Sequence, residues 1–185
     1  MLPAPATPLS KPPQSWTILE VVRWTTLRFE KQGIETARLD AELLATRAFT
    51  RSRVELYTHF DQPLAEAELA EYRALVKRRI AGEPVAYILG RKEFWSIEID
   101  VDSRVLVPRP DTETLLDQAL AILASRGADA ARVADIGTGS GALALALKKE
   151  RPGDSVCAVD PCQGALAVAR ANAERLGLPG TFLDG

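Results

Sequence analysis

Apolar positions follow two different rhythms along the chain, and the change comes near residue 84. Before it they recur at helical spacing. "TILE" at Thr17–Glu20 has the Thr-x-x-Glu spacing of a capping box, and Ile18, Val21, Val22 and Thr25 then share one face. Gly33 is the expected stop, and Thr36 precedes a second helix with Leu39 and Leu43 on one stripe. "SRVE" at Ser52–Glu55 is a further capping box, opening a short helix toward Phe60. After Pro63, the residues Leu69, Tyr72, Val76 and Ile80 repeat until Gly82 and Pro84 end the run. Residues 15–83 therefore read as a bundle of four short amphipathic helices, with Trp16 and Trp24 packed into it.

Beyond residue 84 the pattern alternates. In "EFWSIEIDVDSRVLVPRP" the β-formers Ile97, Ile99 and Val101 are followed by Val105 and Val107, with Asp102 and Ser103 between them. This predicts a β-hairpin turning at Asp102-Ser103, within a linker over 84–110. From Asp111 a helix resumes with Leu116, Ala119, Leu120 and Leu123 on one face, and Asp111 is placed to cap it. Then come a short apolar strand "VADI", a glycine loop, a helix from Ala142, and a second strand "SVCAVD". Another helix over Ala165–Leu176 closes at Gly177, and "GTFLDG" begins a third strand. Strand, helix and strand in this order predict a parallel α/β sheet over 111–185.

Composition narrows the class without naming it. In 185 residues, 46% hydrophobic and 26% charged is the balance of an ordinary globular protein, and a net charge of -2 lacks the basic excess of a nucleic-acid binder. The basic positions Lys77, Arg78, Arg79, Arg91 and Lys92 read as solvated faces rather than an RNA surface. No apolar run is long enough to span a bilayer, and residues 1–14, "MLPAPATPLSKPPQ", read as a flexible proline-rich leader and not as a signal or transit peptide. The two cysteines, Cys157 and Cys162, read as free cytoplasmic thiols. With one histidine, His59, neither a metal site nor histidine-based nucleophilic catalysis is expected.

The chemistry concentrates in "DIGTGSGA", Asp135–Ala142. Gly137, Gly139 and Gly141 permit a tight turn and let a ligand approach the backbone, while amides at the start of the helix face it. Asp160 ends the following strand, where a carboxylate accepts hydrogen bonds from ribose hydroxyls. Two ligands suit such a loop: a nicotinamide dinucleotide or S-adenosylmethionine. Asp135 separates them, because a carboxylate two residues before the first glycine repels a pyrophosphate and tolerates a sulfonium. Its other role would be to accept hydrogen bonds from the loop's own amides. A nicotinamide-dependent oxidoreductase and a non-catalytic binding module stay open as alternatives.

Three linked blocks, "VLVPRPDTETLLDQAL", "VADIGTGSGALALAL" and "AVDPCQGALAVARANAERLGL", resemble the bacterial HemK/PrmC family. These are S-adenosylmethionine-dependent methyltransferases of the release-factor glutamine side chain. The resemblance implies an α + α/β protein: an N-terminal helical bundle that contacts a release factor, a β-hairpin linker, and a Rossmann-like methyltransferase domain. It implies that Gly137, Thr138, Gly139, Ser140 and Gly141 wrap the donor, and that Asp160 holds its ribose. The segment Pro108–Glu113, "PRPDTE", resembles the family's stretch near the active site and favours release factors over a ribosomal-protein or nucleic-acid acceptor; its other reading is a rigid linker. The family's Asn-Pro-Pro-Tyr signature has no counterpart, since the one asparagine, Asn172, precedes Ala173 within a helix. The chain is therefore expected to be the front part of such an enzyme, able to bind the donor but not to transfer its methyl.

Overall fold

The structure, a computed structural model, describes residues 15–127 and 130–185. The proline-rich stretch 1–14 lies outside the described residues. Two compact units divide between Val85 and Ala86.

The first unit is helical: α1 (Ile18–Glu30), α2 (Ala37–Phe49), α3 (Arg53–Thr58) and α4 (Glu66–Ile80). Both capping boxes form. The Thr17 amide donates to Glu20 at 2.9 Å, and the Ser52 amide donates to Glu55 at 2.7 Å. Each box satisfies backbone donors that a helix start would otherwise leave unpaired. Ile18, Val21 and Thr25 are buried, as are Leu69, Tyr72 and Val76. Tyr72 is wholly enclosed, and its hydroxyl donates to the Ala41 carbonyl at 3.1 Å.

The stripe expected on α2 is not the one buried. Leu39 is 42% exposed and Leu43 is half-buried, whereas Ala37, Ala41, Leu44, Ala45 and Ala48 are enclosed. The buried face also carries Asp40 and Glu42. Arg79 of α4 donates to Asp40 at 2.7 Å; Arg38, Arg53 and Tyr57 converge on Glu42. A carboxylate tolerates burial when it is paired, and here most of the partners come from other elements.

A short helix, α5 (Val85–Leu89), stands where the linker was expected to begin. The hairpin follows it but turns earlier than predicted. Its strands are β1 (Arg91–Phe94) and β2 (Ile97–Asp100), antiparallel with Phe94 opposite Ile97, so Trp95 and Ser96 form a two-residue turn. Both turn residues have positive φ, 49° and 56°. Two-residue hairpin turns demand that geometry because it matches the twist of the strands. Asp102 and Ser103 lie in a later loop, where the Val105 amide donates to the Asp102 carbonyl. Neither Val105 nor Val107 belongs to a strand. The turn is anchored from outside: the Trp95 amide donates to Glu113 at 3.0 Å and its indole N–H to Glu150 at 2.9 Å.

Then come α6 (Pro110–Ser125), β3 (Arg132–Ile136), α7 (Ala142–Glu150), β4 (Ser155–Asp160), α8 (Gln163–Leu176) and β5 (Thr181–Asp184). Helix α6 begins with Pro110 at its first position, where the missing N–H costs nothing. Asp111 does not cap it: the start has no side-chain cap bond, and Asp111 is simply an exposed carboxylate of the first turn. The three strands run parallel in the order β3-β4-β5, with Ile136, Val159 and Leu183 in register. On one face β4 buries Val156 and Ala158. On the other, Ile136 and Leu183 are 75% and 48% exposed. Buried Asp154 ties the strand starts together by accepting from the Ala131 amide at 2.9 Å and from Arg151 at 2.6 Å. The described chain is thus a helical bundle followed by a hairpin and the opening of a parallel α/β sheet.

The hairpin turn supplies a test. A non-glycine residue in the left-handed region costs about 1–2 kcal/mol, and glycine gives back part of that gain as chain entropy. Ser96→Gly should therefore stabilise the chain by about 0.5–1 kcal/mol in urea unfolding, while Ser103→Gly should not. The reverse order of effects would restore the turn to Asp102-Ser103.

Candidate functional site

The site begins with a backbone problem. Strand β3 must hand over to α7 through five residues, and Gly137, Gly139 and Gly141 all take positive φ, 81°, 55° and 81°. A side chain would be strained at each. The space around them differs. A Cβ at Gly137 or Gly139 would meet nothing within 4 Å, whereas one at Gly141 would lie 3.1 Å from the Ala169 Cβ and 3.3 Å from Leu145. The first two glycines leave open room at the loop's surface. The third lets α8 pack against it.

The rest of the loop is held by hydrogen bonds. The Gly137 and Thr138 amides both donate to the Val159 carbonyl, at 2.8 and 3.0 Å, and the Gly141 amide donates to the Thr138 carbonyl at 2.9 Å. Asp160 is buried at the end of β4. One carboxylate oxygen accepts from the Gly139 amide and the other from the Cys162 amide at the start of α8, both at 2.9 Å. It is therefore a brace of the loop as well as the candidate ribose acceptor. Two amides leave further lone-pair directions on its oxygens for hydroxyl donors.

Asp135 accepts from the Thr138 hydroxyl at 2.6 Å. Burial pushes its carboxyl above the ordinary aspartate value; the hydrogen bonds from the Thr138 hydroxyl and the Ala144 amide offset part of the rise, and the Asp160 carboxylate adds to it. So Asp135 does serve the loop's own donors, the humbler of its two expected roles. It also stands close enough to Asp160 for the two charges to oppose one another. Thr138 and Ser140 are buried, so their side chains belong to the loop's support more than to its surface.

Among the other candidates, "PRPDTE" contributes Pro110 to the start of α6 and Glu113 to the hairpin turn. Three members of the basic set are neutralised within the protein: Arg78 by Glu83 at 2.6 Å, Arg79 by Asp40, and Arg91 by Glu98 at 2.9 Å. Cys157 and Cys162 are free thiols, half-buried and exposed. No helix among the described residues is long and apolar enough to cross a membrane. In the first unit a groove of about 430 Å³ is lined by Trp16, Trp24, Tyr72, Val76 and Ile80 together with the cations Arg28, Arg73 and Lys77. Trp16 and Trp24 meet edge to face there, and Trp24 is 37% exposed, so it is a surface residue more than a core one.

Asn172 carries an arrangement that the sequence did not disclose. It is wholly buried on α8, and its carboxamide reaches both the loop, at Ser140, and the hairpin, at Asp100. The one available signal was its place within the apolar stripe of Leu166, Ala169, Ala173 and Leu176, since a buried amide must find partners.

Residues 20–90 match the PrmC N-terminal domain, and residues 110–185 match the methyltransferase small domain. The chain is 44% identical over 177 residues to a release factor glutamine methyltransferase of Geobacter sulfurreducens, an overlap of 96% of this chain and 61% of the relative. A protein of the same name from Rhodopirellula baltica is 47% identical over 165 residues, 88% of this chain and 56% of the relative. One from Xylella fastidiosa is 48% identical over 141 residues, 76% of this chain and 50% of the relative. The chain thus spans about half to three fifths of the length of these relatives. A helical unit matched by the PrmC N-terminal domain, joined to a glycine-looped α/β unit matched by a methyltransferase domain, places the chain in the HemK/PrmC family.

Proposed function

We propose that the α/β unit binds S-adenosylmethionine, and that the protein to which this chain corresponds methylates the glutamine side-chain amide of peptide-chain release factors. The observation that carries the reading is the pair of carboxylates, Asp135 and Asp160, at the carboxyl ends of adjacent parallel strands beside a glycine loop with open room. Ligands of open α/β sheets bind at that edge. Two neighbouring negative charges suit a ligand bearing a sulfonium and an ammonium, and oppose a pyrophosphate.

The residues present fit the donor. Gly137 and Gly139 would lie against it where no side chain intervenes, Thr138, Ser140 and Gly141 would keep the loop's shape, and Asp160 would accept from its ribose hydroxyls. When bound, the donor supplies an electrophilic methyl group. The protein's part is to exclude water, orient the donor, and offer acceptors that aim the amide nitrogen. The sequence contains no Asn-Pro pair for that last task, so the 185-residue chain is read as binding the donor without transferring its methyl. For the partner, the groove of the helical unit suits a release-factor segment that brings an apolar side chain together with a carboxylate, given Arg28 and Lys77 in its lining beside Arg73, which already pairs with Glu66 at 3.0 Å.

Three measurements test this. Titration calorimetry should show saturable binding of S-adenosylhomocysteine and none of NAD; Asp160→Ala should weaken that binding about ten- to hundredfold, the scale of a hydrogen bond to a charged group. Tighter binding of NAD than of the methyl-donor product would remove the methyltransferase reading.

Asp135 predicts a pH effect. Because its folded-state carboxyl is raised, the empty protein takes up that proton at a higher pH than an ordinary aspartate, which stabilises the empty site as pH falls and removes the charge a cationic ligand meets. Donor affinity should therefore decline as pH falls through a range lying above the ordinary aspartate value of about 3.9. Asp135→Asn should flatten that decline; an identical profile in wild type and variant would exclude Asp135.

For the partner, Trp24→Ala should weaken release-factor binding at least about tenfold, as a truncated aromatic anchor does, without lowering helical content. Unchanged affinity would move the contact off the groove.

A further inference from the structure

We propose that Asn172 is a positioning residue for the donor loop: one buried carboxamide sets the orientation of the peptide that joins Ser140 to Gly141, and through it the affinity for a ligand that Asn172 does not touch. The proposal rests on the donor-binding reading above. It concerns a residue far along the chain from the loop.

Asn172 is 0% exposed, and its whole hydrogen-bonding capacity is used. Its Nδ2 donates to the Ser140 carbonyl and to the Asp100 carbonyl, each at 3.0 Å. Its Oδ1 accepts from the Asp100 amide at 2.8 Å and from Arg175 at 3.2 Å. Two donors and two lone-pair directions thus meet partners on the loop, on β2 and on α8 itself.

The bond to Ser140 matters most. A peptide unit is a rigid plane, so its C=O and N–H turn together. In the unit between Ser140 and Gly141, the carbonyl is held by Asn172 while the N–H donates back to the Thr138 carbonyl at 2.9 Å. Both ends of one plane are pinned, to different parts of the unit. Gly141, at φ 81°, is the residue that allows the plane to sit this way, and glycine would equally allow it to rotate. Of the two bonds that fix the plane, the one from the carboxamide is the only one that reaches it from outside the loop. The entry of the loop needs no such help, because the Val159 carbonyl and Asp160 already hold Gly137, Thr138 and Gly139. Asn172 completes the set at the exit, one helical turn from Ala169, which a Cβ on Gly141 would approach to 3.1 Å.

Asn172→Asp separates positioning from packing. It keeps the size and the acceptor for the Asp100 amide and Arg175, but faces both carbonyls with oxygen in place of a donor. Arg175→Ala is the comparison: it removes contacts from α8 to Asp100 and the Glu98 carbonyl and the weaker of the two donors to Asn172 Oδ1, and leaves the bonds of Asn172 to Ser140 and Asp100 in place. Should Asn172→Asp not fold, Asn172→Ser, whose hydroxyl can serve one carbonyl, takes its place.

The experiment is calorimetric titration of the 185-residue chain and its variants with S-adenosylhomocysteine, below their melting transitions. Amide hydrogen exchange over Gly137–Gly141 is measured alongside without ligand. The expected result is at least a roughly tenfold weaker affinity and faster exchange at Gly139 and Gly141 in the Asn172 variant, the scale of one lost buried hydrogen bond. Arg175→Ala should melt at lower temperature yet bind within about twofold of wild type. Lower melting temperature with unchanged affinity and exchange in the Asn172 variant would overturn the proposal, as would equal losses in both variants. If the wild type itself shows no saturable binding, the donor reading fails. Exchange at Gly139 and Gly141 then decides on Asn172 alone, faster exchange supporting its hold on the loop and unchanged exchange refuting it.

Discussion

The parallel pairing of β3 with β4 is the constraint from which the site follows. Parallel neighbours cannot be joined by a tight turn, so the chain must leave the end of β3, cross over as α7 and return. That exit has five residues to make the change, and three positive-φ glycines are the backbone's answer. The same pairing brings the Val159 carbonyl beside the loop and aligns the ends of the strands, so Asp135 and Asp160 come to one edge. A slip of one residue would turn Asp160 to the opposite face and leave the Gly139 amide without its acceptor.

In the proposed function, charge selects what this edge holds. A unit charge about 5 Å from a carboxylate, at an effective dielectric of about 20, gains or loses about 3 kcal/mol. That matches or exceeds a charge-assisted hydrogen bond, about 1.5–3 kcal/mol. In the proposed function, two carboxylates would therefore outweigh the loop's likeness to a dinucleotide fingerprint, which glycine spacing alone leaves unresolved. The hydrogen bonds that hold Asp135 and Asp160 to loop donors keep both carboxylates in place.

In the helical unit, charge serves the fold instead. Asp40 and Glu42 are enclosed because Arg79, Arg53 and Arg38 neutralise them, and the same pairing removes Arg79 from any basic surface. A stripe drawn through Leu39 and Leu43 misses this, because the small alanines of α2 are what face its neighbours.

What the sequence determined by itself is what short-range chemistry decides. The capping boxes at Thr17 and Ser52, the helix end at Gly177, the strand–glycine–helix order and the acidic residue closing β4 each depend on residues a few positions apart, so their spacing reveals them. What only the tertiary structure decided depends on partners far along the chain. The hairpin turns at Trp95-Ser96 although both residues must adopt positive φ, because Glu113 holds the Trp95 amide and Glu150 its indole N–H, each from another helix. Asn172 reads as an ordinary helical residue until Ser140 and Asp100, 32 and 72 positions away, are folded against it. A buried polar group must be satisfied, and no local pattern says which distant backbone will do so.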